Sequence, residues 1–398
     1  MKRILPVIVI SQFFCTSLWF AGNAVIGDIA RQLQLQPAFL AYLSSAVQAG
    51  FITGTLAFAL LSVADRFPST RVFMICAIVA AIINVGICFQ GITPVILLTC
   101  RFATGFFLAG IYPVGMKIAA DNYQQGLSKS LGFLVGALVI GTAFPHLLKS
   151  LSANFPWQYI VAATSLLSVL GGIAMYLLVP QGPYAVSGKK LNWKASVNSF
   201  RNQHFKAAAL GYLGHMWELY AFWVFVPVIL TAYQKHHPGI QLNVALWSFL
   251  IIAAGSLSCV LSGYVSQYWG TKKTATIALL LSCLCCLISP LFIAQGQLTL
   301  LLAFMLFWSI MVIADSPMFS TLVAQNAPAE SKGSSLTIVN CIGFFITIVS
   351  IQLLSSLRTE ANAIYLYMLL AIGPILGLAA LFKNRKETQS TSIQSVEK

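Results

Sequence analysis

Twelve apolar stretches, each long enough for a helix to cross a bilayer, constrain this chain more than any single motif in it. They run at approximately 5–27, 38–62, 72–92, 94–118, 128–149, 158–179, 206–232, 242–265, 274–294, 298–323, 334–357 and 361–382. A hydrocarbon core about 30 Å thick takes about 20 helical residues. Lipid offers no hydrogen bonds to the backbone, so stretches of this kind are helices and not open strands or loops. Twelve spans use about 240 residues at that length. What remains of the 398 is short loops and tails, with no room for a soluble catalytic domain. Composition agrees: 8% of residues are charged, against about 25% in a soluble domain. The expected fold is an all-α integral membrane protein, and the helix bundle itself is the functional unit; no enzyme activity is expected.

The net charge of +14 is arranged along the chain and not spread evenly. If the N-terminus is cytoplasmic, Lys2, Arg3, Arg66, Arg71, Lys117, Lys129, Lys189, Lys190, Lys194, Arg201, Lys206, Lys272, Lys273, Lys332, Lys383, Arg385, Lys386 and Lys398 fall inside. Arg31, Arg101, Lys149, Lys235 and Arg358 fall outside or within the membrane. This asymmetry orients the chain with both termini cytoplasmic and accounts for its basicity without a nucleic-acid partner. The expected location is the inner (plasma) membrane of a bacterium. The first stretch, after Lys2 and Arg3, exceeds a signal-peptide core and contains Gln12, Thr16 and Asn23, so it reads as a retained helix. Nine cysteines lack metal-type spacing with histidines and read as small packing residues. No metal or cofactor is expected.

The longest hydrophilic connection, from about Pro180 to Arg201, divides the chain six spans plus six. We expect an N-terminal bundle over 1–180, a cytoplasmic linker over 181–205, a C-terminal bundle over 206–382 and a disordered tail over 383–398. The halves share loop chemistry. Leu61-Ser-Val-Ala-Asp65-Arg66-Phe-Pro68 with Arg71 aligns with Gly263-Tyr-Val-Ser-Gln267-Tyr-Trp-Gly270 and Lys272, and Gly126 aligns with Gly333. Such internal duplication is a mark of transporters built from two related halves.

At these residues the chain resembles the major facilitator superfamily, whose hallmark loop reads Gly-x-Leu-Ala-Asp-Arg-x-Gly-Arg-Lys. Ala64, Asp65 and Arg66 match it in the first half, and Gly263, Gly270 and Lys272 in the second. Leu61 and Pro68 stand where the hallmark has glycines, and Gln267 where it has Asp. Arg101-Phe-Ala-Thr-Gly105 is similar to the superfamily's Arg-x-x-x-Gly element. The resemblance implies two pseudo-symmetric six-helix bundles and a monomer that moves a small-molecule substrate by alternating access. Two subfamily signatures fail. Span five has Gly132, Gly136, Gly141 and Pro145 but not the full glycine pattern of drug/proton antiporters, and span eleven, with Gly343 alone, lacks that of nitrate porters. Close helix packing is the better reading of those glycines.

Two of nine acidic residues, Glu218 and Asp315, sit deep in apolar runs. A carboxylate at the bilayer centre costs about 2.5–3.5 kcal/mol on insertion scales, which makes each a functional candidate. Gly211, His215 and Glu218 share a helical face. A His beside a Glu withdrawn from water can exchange a proton near neutral pH, so the coupling candidates are Glu218, His215 and Asp315. A structural pair between helices is the competing reading. Pro317 predicts a break beside Asp315. Asp65 with Arg66 and Arg71 reads as a cytoplasmic gate, with Gly270 at the matching position of the second half. A solvated turn would give the same residues.

Arg101 either binds an anionic or zwitterionic solute or shapes the N-terminal half. Gln12, Thr16, Trp19, Asn23 and Gln48 form polar stripes suited to a central cavity, joined from span seven by Trp217 and Tyr220. Interhelical hydrogen bonds would explain the stripes equally. The expected function is proton-coupled transport of a small polar organic solute, with export of amphipathic compounds as the rival and a non-transporting sensor behind both. No Gly-x-x-x-x-Gly-Lys-Ser/Thr sequence supports direct use of ATP.

Overall fold

The structure, a computed structural model, describes residues 4–123, 127–152, 155–184, 193–294, 296–328 and 331–383. Lys2, Arg3, Gly126, Lys189, Lys190, Glu330 and the tail beyond Lys383 lie outside the described residues, as do residues 185–192 of the linker. Among the described residues all regular structure is helical. Eleven helices are long and apolar enough to cross a membrane. The twelfth crossing is span one, which departs from expectation: in place of one helix over 5–27 it is Ile4–Thr16, a turn, then Ala21–Ala24 and Ile26–Leu33.

The remaining spans are Phe39–Leu60, Ser69–Val85, Pro94–Leu108 continuing as Tyr112–Asn122, Leu127–Leu151, Gln158–Leu178, Gln203–His236, Val244–Trp269, Thr271–Ile293, Leu298–Ala314 continuing as Ser316–Asn326, Lys332–Leu357 and Leu366–Lys383. Their starts are written locally. Thr93 Oγ1 accepts from the Ile96 amide ahead of Pro94, Asn202 Oδ1 accepts from the His204 amide at 2.8 Å, and Asn243 Oδ1 accepts from the Leu246 amide at 3.0 Å. Spans four and ten both break near their middle, before Pro113 and Pro317. Each proline lacks the amide its helix would need there. Asp315 occupies the second break, as its neighbouring proline predicts.

Glycines set the packing inside each half. A Cβ at Gly50 or Gly54 would strike the backbone of Phe102 or Phe106, and one at Gly105 would strike the Val47 carbonyl, so spans two and four touch backbone to backbone. In the second half Gly214 meets Gly373 in the same way. Gly270 joins spans eight and nine at φ +82°, a conformation that an L side chain rarely adopts.

The halves meet along two seams. In the first, Gly132 and Gly136 of span five lie against the Cys259 and Ser256 carbonyls of span eight, where an added Cβ would sit 3.3 Å from each oxygen. The glycines of span five are therefore packing positions. Along the second seam Thr347 Oγ1 donates to Gln48 Oε1 at 2.7 Å and Gln352 Nε2 to Ser45 Oγ at 2.8 Å. Asn243 Nδ2 donates to Ser150 Oγ at 2.8 Å, adding a bond at the end of the bundle opposite Asp65.

Candidate functional site

The shared face of Gly211, His215 and Glu218 lies against span ten. Gly211 admits the Phe319 ring. His215 Nδ1 approaches Asp315 Oδ1 to 2.7 Å, and both side chains are fully buried. The approach is electrostatic and not a well-directed hydrogen bond, and Asp315 Oδ2 and His215 Nε2 have no partner among the described residues. Glu218 is equally buried but engages other groups: Trp308 Nε1 donates to Oε1 at 2.7 Å and Ser282 Oγ to Oε2 at 3.0 Å. The expected His215–Glu218 pair is thus corrected to His215–Asp315. One helical turn separates the two residues along span seven, but each reaches across to a different level of span ten.

Trp308 and Ser282 were not expected as partners of Glu218. Trp308 precedes Asp315 by two turns on one face of span ten, a signal that could have found it. Two acids in this half therefore stand in different settings. Asp315 faces a group able to carry positive charge, whereas Glu218 is held by the neutral donors Trp308 and Ser282.

Arg101 is fully buried, and its geometry favours the second of its two expected roles. Nη2 donates to the Leu18 and Trp19 carbonyls at 2.9 and 2.6 Å, and Nη1 donates to Asn84 Oδ1 at 2.9 Å. Leu18 and Trp19 lie in the turn that interrupts span one, so the guanidinium caps the carbonyls that the break releases. Asn84 in turn donates to Ser165 Oγ at 2.9 Å, which ties spans three, four and six to the broken helix. These two nitrogens are occupied within its own half, while Nε has no partner among the described residues.

The cavity candidates divide. Trp19, Phe51, Tyr220 and Phe344 are buried and in mutual ring contact across the halves, at centroid separations of 4.6–5.8 Å. Phe20 meets Trp223 beside them. One turn toward the end opposite Asp65 stands the Gln48–Thr347 bond, and beyond it Asn23 Nδ2 donates to Ser44 Oγ at 2.7 Å. Gln12 is buried against Gly115, with neither amide atom partnered among the described residues. Thr16 departs from its stripe: its hydroxyl donates to the Gln12 carbonyl at 2.8 Å and sits against Gly141 of span five. Trp217 is a correction, because its indole donates to the Leu369 carbonyl at 3.0 Å and packs on Gly373, facing span twelve and not the centre.

At the loop after span two the expected Asp65–Arg66–Arg71 cluster is also corrected. Arg66 and Arg71 are exposed, and the ion partner of Asp65 is Lys117 of span four at 3.5 Å, which reaches Asp121 at 3.4 Å as well. A cleft of about 280 Å³ lies here, bounded by Asp65, Arg66, Lys117, Asp121 and Gly182. Each of these ion pairs lies within the N-terminal half. Gly270 adds no charge, and its part is the backbone turn between spans eight and nine. Among the described residues no cluster of His, Cys, Asp and Glu suited to a metal occurs.

Two helical bundles meeting at a central aromatic layer, with acids buried on one side, define an integral membrane protein of the transporter class. The Major Facilitator Superfamily model matches residues 8–351, and the chain belongs to that family. Among solved structures it is similar to the proton:xylose symporter XylE bound to 6-bromo-6-deoxy-D-glucose, at TM-score 0.74 and 14% identity over 96% of this chain and 94% of that one. The nucleoside transporter NupG matches at TM-score 0.72 and 15% identity, over 96% and 99%. A bacterial homolog of the human lysosomal transporter Spinster, inward-facing and occupied, matches at TM-score 0.69 and 13% identity, over 97% of both chains. At these identities the likeness is one of fold. No curated protein matches in sequence.

Proposed function

We propose that the protein is a secondary transporter that moves a small polar organic solute by proton-coupled alternating access. The observation that carries this reading is Glu218, fully buried and held by the neutral donors Trp308 and Ser282, beside the His215–Asp315 pair. Such a group takes up and releases a proton at the cost of rearranging its hydrogen bonds, and it lies two residues before Tyr220, which leaves span seven on another side to reach the contact between the halves. The similar proton:xylose symporter supports the coupling as a use of this fold. The anionic or zwitterionic solute expected from Arg101 draws less support, because Nη2 of that guanidinium bonds the Leu18 and Trp19 carbonyls of span one. The aromatic layer favours a solute with an apolar face, which keeps export of amphipathic compounds as the second reading.

Uptake into proteoliposomes under an imposed pH gradient tests the proposal. A solute that stabilises the purified protein should accumulate and be lost on adding a protonophore. Accumulation indifferent to the protonophore would remove the proton from the mechanism, and binding without flux would return the chain to the sensor reading.

Orientation follows from the basic loops. We place the Asp65 and Lys272 loops and both termini in the cytoplasm of a plasma membrane. In a cysteine-free background, single cysteines at Arg66 and Lys273 should resist an impermeant thiol reagent added to intact cells. Labelling at either from outside overturns the orientation.

A further inference from the structure

Among the cysteines, Cys286 stands apart by what it touches. It is fully buried in span nine, one helical turn beyond Ser282 and on the same face. Ser282 Oγ donates to Glu218 Oε2 at 3.0 Å, and the Cys286 thiol comes within hydrogen-bonding reach of the same carboxylate. With Trp308 Nε1 donating to Oε1 at 2.7 Å, Glu218 meets an indole, a hydroxyl and a thiol.

The internal duplication marks the same position independently. The register that aligns Asp65 with Gln267 and Pro68 with Gly270 runs on without a gap into spans three and nine, where it aligns Asn84 with Cys286. Asn84 is fully buried, and its Oδ1 accepts from Arg101 Nη1 at 2.9 Å. Each half thus turns one position of its third helix toward its own buried charged group. In the N-terminal half that group is a guanidinium and the neighbour an amide; in the C-terminal half it is a carboxylate and the neighbour a thiol.

Charge close to Glu218 comes from few places. The lysines of spans seven and nine, Lys206, Lys235, Lys272 and Lys273, lie at the helix ends. His215, on the same helix as Glu218, lies against Asp315. Asp315 of span ten and Cys283 and Cys285 of span nine are the further titratable groups whose charge bears on the carboxylate, and each could add only negative charge. Donors therefore decide how readily Glu218 keeps its charge: a bond to the ionised form favours it, and losing that bond favours the protonated form. A thiol donates more weakly than a hydroxyl, so position 286 adjusts that balance in either direction when it is exchanged.

We propose that Cys286 is a positioning residue of the proton site: its thiol completes a three-donor cage around Glu218 and sets the pH at which that carboxylate exchanges its proton. The inference rests on the transport reading above and adds to it a residue that acts through Glu218.

The test reads Glu218 directly, with no solute and no gradient. In the purified protein, the infrared carbonyl band of its protonated carboxyl is the one that Glu218→Gln removes, and the growth of that band on acidification gives a midpoint. Cys286→Ser supplies a stronger donor of similar shape and should move the midpoint to lower pH. Cys286→Ala removes the donor and should move it to higher pH. Each shift should be about half a unit to one unit, the strength of one hydrogen bond set against the energy of one pH unit. Cys283→Ser makes the same exchange off this face and should leave the midpoint in place. Melting temperatures are recorded alongside, because a cysteine that only packs would change them without moving the midpoint. Should Cys286→Ala fail to fold, Cys286→Ser against the Cys283→Ser control decides. A parental midpoint in the Cys286 variants, shifts in one common direction, or an equal shift from Cys283→Ser overturns the proposal. A protein with no band that Glu218→Gln removes overturns it together with the proton site. Opposite shifts alongside flux indifferent to a protonophore would leave the cage standing and sink the coupling.

Discussion

Glu218→Gln is expected to abolish accumulation driven by a pH gradient while solute exchange across the membrane continues. The substitution is nearly isosteric. Gln keeps an oxygen for the Trp308 indole, and the Ser282 hydroxyl can rotate to accept from the new amide, so the local hydrogen bonds survive the loss of the titrating group. What disappears is the ability to carry a proton through the conformational change. The measurement is a pair of assays on one preparation, uphill uptake under an imposed gradient and counterflow of labelled against unlabelled solute. Uphill uptake at the parental rate would move the proton to the His215–Asp315 pair, and Asp315→Asn would then show the same loss.

A second large effect is expected in the scaffold. A Cβ at Gly105 meets the Val47 carbonyl, a backbone atom that cannot swing aside. Overpacking costs about 1–3 kcal/mol where side chains can adjust, so Gly105→Ala should lie at or beyond the upper end and Gly105→Leu should leave little folded protein. Gly263→Ala is the matched control. Nothing lies within 4 Å of its Cβ position, and exchanging Gly for Ala inside a helix is worth about 0.5–1 kcal/mol in its favour. Melting temperatures in detergent should separate the two alanine variants widely. If they coincide, spans two and four do not touch as described.

The architecture was largely legible because bilayer thickness imposes length and hydropathy on every span. The break at Asp315 was legible for a similar reason, since Pro317 carries its signal in one residue. The break in span one was not. No proline marks residues 17–20, and the cause lies eighty residues away in Arg101, which makes the broken conformation tolerable by capping it. The site shows the same division. Burial of Glu218 and Asp315 could be read from their surroundings in the chain, but partner choice is a tertiary fact: His215 sits three residues from Glu218 and lies against Asp315 of span ten instead. Lys117, two spans away from Asp65, displaced two arginines close by in sequence because it lies on the facing helix. Trp217 carried the right composition for a cavity and the wrong azimuth, which the glycines at 211, 214, 373 and 377 set by drawing span twelve onto that side.

The aromatic layer at the centre gives the protein a thermal signature. Parting the halves there would hydrate Trp19, Phe51, Tyr220 and Phe344, and newly wetted apolar surface raises heat capacity by about 0.45 cal/K/mol for each Å². In the proposed transport cycle, the balance between a state with these rings in contact and a state with them apart would therefore be curved in temperature. Because apolar burial weakens on cooling, cold should tip the population toward separated rings even with every hydrogen bond and ion pair unchanged.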